Sequence, residues 1–65
     1  MNVNIHNPEI KETSILSTVA GKFACAELKD RTGGSVDLVF SESVDMRTMA
    51  AELVLLAEKL EEAQA

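Results

Sequence analysis

From Ser43 onward the apolar residues recur every three or four positions, at Met46, Met49, Leu53, Leu56, Leu60 and Ala63. Spacings of 3, 4, 3, 4 and 3 are those of a heptad seam and predict an amphipathic helix over about residues 44–63. No Gly or Pro interrupts this stretch, and its Ala, Leu, Glu and Met are good helix formers. Ala50 and Ala57 widen the apolar stripe on one flank. Ser43 or Asp45 is placed to cap the first turn, and acidic Asp45 suits the positive end of the helix dipole. Glu61 and Glu62 oppose the negative end and predict fraying there. Leu55 breaks the pattern. It projects about 180° from Met46, among Ala51, Glu58, Lys59 and Glu62.

Upstream the period changes to two. Val36, Leu38 and Phe40 alternate with polar or opposite-facing residues over Ser35 to Ser41, which predicts a half-buried strand. Residues Lys22 to Lys29 supply its hairpin partner. Pairing Asp30 with Gly34 leaves the loop Arg31-Thr32-Gly33, with Gly at the position that wants φ > 0. That register sets Leu28 opposite Val36, Ala26 opposite Leu38 and Ala24 opposite Phe40. Small residues then face large ones on one side, where a helix can pack. It also sets Glu27 opposite Asp37, a mildly destabilising like-charge pair.

Residues 1–20 carry two readings. Val3 and Ile5 alternate with Asn, and the β-branched run Thr13 to Val19, closed by Ala20-Gly21, reads as a strand. Asn7-Pro8-Glu9 is also a good helix start, and Ile15, Leu16, Val19, Ala20 and Phe23 fit a helical face. A helix there would contain Gly21, at about 1 kcal/mol relative to Ala, and several β-branched residues of low propensity. The strand reading is preferred. The expected fold is α+β, with residues 1–65 as a single small domain. It has an antiparallel β-meander of three or four strands within about residues 2–41, and one C-terminal amphipathic helix packed on one face.

That arrangement leaves Phe23, Cys25 and Val39 on the sheet face away from the helix, and Leu55 on the outer side of the helix. These four are the candidate interface. A strand sends only about half its side chains to either face, so residues 1–20 cannot cover all of this apolar surface. A 65-residue chain has a thin core in any case, and a symmetric dimer would bury the patch. A homodimer is therefore expected, through the far sheet face first and the helix seam second.

Charge alters the picture in one respect. The chain carries a formal net charge of -5, and residues 42–65 hold six acidic and two basic groups, so the acidity belongs to the C-terminal third. Such a balance argues against phosphate-backbone binding, which rests on clustered Lys and Arg. Lys22, Lys29 and Arg31 are few, and Phe23 and Phe40 are the only aromatics available for stacking. The longest uninterrupted apolar run, Leu53 to Ala57, is far short of a membrane span, and the N-terminal residues do not read as a signal peptide. With a single Cys, a reduced, cytoplasmic setting is the expectation.

Candidate chemistry is sparse. His6 is the only His and lies near the first residues, where a strand-end position accounts for it. Cys25 stands between Ala24 and Ala26, with no adjacent base to lower its pKa. Glu9, Glu12, Glu61 and Glu62 form sequence pairs that a solvated face explains. Gly33-Gly34 lacks the flanking pattern of a phosphate loop. No catalytic, metal or cofactor site is expected.

The sequence thus points to a non-enzymatic protein–protein interaction module that self-associates and binds a further, unidentified protein partner. The alternative is an acidic inhibitor or nucleic-acid mimic, in which Glu42, Asp45, Glu52, Glu58, Glu61 and Glu62 occupy a basic groove. In size, acidity and strand-then-helix plan the chain resembles small accessory proteins of bacteriophages, including anti-defence proteins. That resemblance lies in overall character and rests on no motif.

Overall fold

A computed structural model describes residues 4–65. Three strands, β1 (Glu9–Thr18), β2 (Gly21–Lys29) and β3 (Ser35–Phe40), form an antiparallel meander in the order β1-β2-β3, and the helix α1 (Ser43–Gln64) follows. This is the expected α+β arrangement with three strands. Val3 lies outside the described residues, and Ile5 belongs to no strand. Asn7 adopts a left-handed backbone with φ of 50°, a conformation Asn tolerates, and the chain enters β1 rather than a helix. No described helix is long and apolar enough to cross a membrane.

The β2–β3 hairpin has the register that its alternation and loop dictate, with Leu28 opposite Val36, Ala26 opposite Leu38 and Ala24 opposite Phe40. Its loop is closed by a 3.0 Å bond from the Asp30 amide to the Gly34 carbonyl. The Asp30 carboxylate oxygen Oδ1 accepts from the Thr32 hydroxyl at 2.7 Å and from the amides of Thr32 and Gly34 at 2.9 Å each. Gly33 takes φ of 96°, which an L side chain strongly resists. The β1–β2 turn is tighter. Thr18 pairs with Gly21, and the Thr18 hydroxyl accepts from the Ala20 amide and donates to the Gly21 carbonyl, both at 3.1 Å.

One irregularity decides which face β1 serves. The β1–β2 register shifts between Ile10 and Glu12, so that Ile10 opposes Leu28 while Glu12 opposes Glu27. Lys11 is the extra residue of a bulge. Strict alternation would put Ile10 on the side of Glu12 and Leu16. The bulge instead moves Ile10 to the side of Ile15, Ala24, Ala26 and Leu28.

The helix forms where expected, but its surroundings differ. Glu42 is the residue before the first turn and makes no side-chain cap bond, so neither Ser43 nor Asp45 holds the cap position. The last turn contains no basic residue, yet the helix continues to Gln64. More consequentially, α1 does not pack across the sheet. Its only approach to the strands is at the end of β3, and it makes no comparable approach to β1 or β2. Two residues join β3 to α1, and Glu42 is extended at φ −134° and ψ 134°, so the chain runs outward from the sheet. Leu53, Leu56 and Leu60, expected to be largely buried, are 59%, 60% and 55% exposed. The radius of gyration is 14.3 Å, against about 11 Å for a compact chain of this length.

Candidate interaction surfaces

Three apolar surfaces stand open. The first is the sheet face on which the helix begins. It carries Ile10 and Ile15 from β1, Ala24, Ala26 and Leu28 from β2, and Val36, Leu38 and Phe40 from β3. Ala24 and Ala26 lie on the central strand between larger neighbours, so this face is a trough with a shallow floor. Only the start of α1 closes on it. Met46 lines a depression there with Ile15, Ala24 and Phe40.

The opposite face holds three of the four candidate interface residues. Cys25 pairs directly with Val39, and Phe23 is the next same-side residue along β2. Leu16, which opposes Phe23, enlarges this patch. It was hidden in sequence because its face depends on where β1 begins to pair. Beyond Cys25 the same face becomes acidic, since Glu12, Glu27 and Asp37 stand in register across the three strands. The structure therefore brings Phe23, Cys25 and Val39 together and leaves Leu55 apart from them, on the helix and 53% exposed.

The helix is the third surface. Its seam residues Met49, Leu53 and Leu56 line an open groove with Leu55 and Lys59. At about 100° per residue, Val44, Ala51 and Leu55 form a second, narrower strip opposite Met46. A helix with apolar residues on two sides needs cover on more than one side. The carboxylates of Asp45, Glu52, Glu58 and Glu61 lie between these strips, Glu62 lies on the second strip beside Leu55, and Glu42 precedes the helix. They form no single row.

Electrostatics single out Asp30. The Thr32 hydroxyl bond, with backbone amide bonds from Gly34, Thr32 and His6, holds its carboxyl below the ordinary range against a smaller opposing effect of burial. The chemistry explains the loop geometry. His6 lies in a bend beside this loop, while Cys25 is a free, half-buried thiol in the middle of β2. Among the described residues no group of three or more His, Cys, Asp and Glu is arranged to hold a metal ion. No family model matches the sequence, and no match emerges among curated proteins or solved structures.

Proposed function

We propose that the chain is a non-enzymatic protein–protein interaction module whose working form is a homodimer. The observation that carries this reading is the absence of any buried residue among those described, in a chain whose accessible surface is 5788 Å². A compact monomer of 7.0 kDa exposes about 4000 Å². The excess of roughly 1700 Å² per chain includes the apolar trough, the apolar seam and the far-face patch, which water opposes leaving open.

With no buried side chain among the described residues, the chain offsets little of the conformational entropy of ordering about 60 residues. Association supplies the missing burial. A reduced, cytoplasmic setting suits the free thiol of Cys25, and a further protein partner would find the Phe23–Cys25–Val39 face available. Linked folding and association make stability depend on concentration. The melting temperature should rise steadily as protein concentration increases from micromolar to hundreds of micromolar. A melting temperature independent of concentration over that range removes the dimer from this reading.

A further inference from the structure

We infer that the apolar trough of the sheet is the seat for α1 of a second copy, and that the exchange is reciprocal, so that each core is completed by the other chain's helix. The inference rests on the homodimer reading and specifies which surfaces meet.

Shape and dimension come first. The trough floor, Ala24 and Ala26, lies between Thr13 and Ile15 on one side and Leu38 and Phe40 on the other, and Ile10 stands beyond it opposite Leu28. Small residues on a central strand let a helix approach the backbone closely, while the flanking side chains grip its sides. The helix is about 33 Å long and the strands are about 20–30 Å long, so one helix covers one trough. The chain's own helix does not do this, because it leaves the sheet at Ser41 and Glu42 with only Met46 set against the face. A short connection that carries an element outward is the arrangement from which two copies exchange it.

Area agrees. Two copies that each remove the excess described above bury roughly 3500 Å² in total, within the 2000–5000 Å² range of obligate homodimers. The exchange covers the trough and the seam in both copies.

Charge separates this contact from its two competitors. Residues 42–65 carry net -4, so helix against helix would set -4 beside -4 while leaving both troughs open. Self-contact through the far sheet face would bring Glu12, Glu27 and Asp37 toward their own copies. Helix against trough sets the acidic segment on a face whose one charged residue in register is Lys22, while Glu12, Glu27 and Asp37 stand on the opposite face. Two-fold symmetry closes the arrangement, because helix on sheet and sheet on helix are the same contact seen from either chain.

The test uses the unmodified chain. Equal amounts of ¹³C-labelled and unlabelled protein are unfolded together, refolded, and examined by isotope-filtered NOE spectroscopy, with the mass measured on the same sample. The expected result is a dimer with interchain NOEs from the Leu56 and Leu60 methyls to Ala26 and Leu38. A dimer whose interchain NOEs come only from Phe23, Cys25 and Val39, or only from helix to helix, overturns the exchange and leaves the dimer standing. Helix-to-trough NOEs confined to one chain overturn it as well. A monomer without interchain NOEs removes both.

Discussion

Leu28 and Val36 stand directly opposite each other at the end of the sheet farther from the helix, and α1 covers neither. Their side chains share a face with Ala24 and Phe40, where Met46 makes the helix's approach. The difference between those two ends defines the molecule. A surface prepared for a helix has one only at its edge.

Leu56 is the residue at which the monomeric and shared-core accounts diverge. In the single chain it is 60% exposed, and truncating a surface side chain changes stability by no more than about 0.5 kcal/mol. In a shared core, Leu56→Ala should cost about 2–5 kcal/mol per site and shift dimer dissociation to higher protein concentration. Chemical denaturation at two protein concentrations measures this. An unchanged midpoint at both would place Leu56 in water.

Glu27 is flanked by Glu12 on β1 and Asp37 on β3, three carboxylates side by side. Cross-strand like charges are unfavourable by about 0.2–1 kcal/mol per pair. Glu27→Thr removes the middle charge and adds a β-branched residue, so it should raise the melting temperature, and more so at low ionic strength. A lower melting temperature would mean that the row is stabilised by something it holds.

The Asp30 loop makes stability pH-dependent with a defined sign. Its carboxyl is held below the ordinary value by the Thr32 and backbone bonds, so the folded state favours the ionised form. The contribution is complete above the unfolded pKa of about 3.9 and is lost as pH falls through the lower folded value. Asp30→Asn should therefore lower the melting temperature at pH 7, and the gap to the parent chain should narrow as pH falls below about 4. A gap that stays constant with pH would assign the loop's stability to shape alone.

These consequences track what the sequence could and could not convey. The β2–β3 register was legible because Val36, Leu38 and Phe40 alternate strictly and Gly33 fixes the loop. The face of Ile10 was not, because the bulge at Lys11 reverses the alternation and no residue there announces it. The helix was legible from the spacing of Met46, Met49, Leu53, Leu56 and Leu60, but that spacing is the same whichever surface covers it. Periodicity reports that a face wants burial and is silent on which chain provides it. For the same reason Phe23, Cys25 and Val39 could be grouped on one face, while the premise that the opposite face was filled by the chain's own helix failed. The acidic row was half visible as Glu27 opposite Asp37, and Glu12 joins it through the β1–β2 register that runs unbroken from the Thr18–Gly21 turn.

If each helix completes the other chain's core, folding of the helix and association of two chains are one event. Sedimentation equilibrium and far-ultraviolet circular dichroism, recorded on the same dilution series, test it directly. The account predicts a species of twice the 7.0 kDa chain mass at high concentration. Helical signal should then be lost on dilution with the same midpoint as the mass. A 7.0 kDa species that keeps its full helical signal from micromolar to hundreds of micromolar would contradict it.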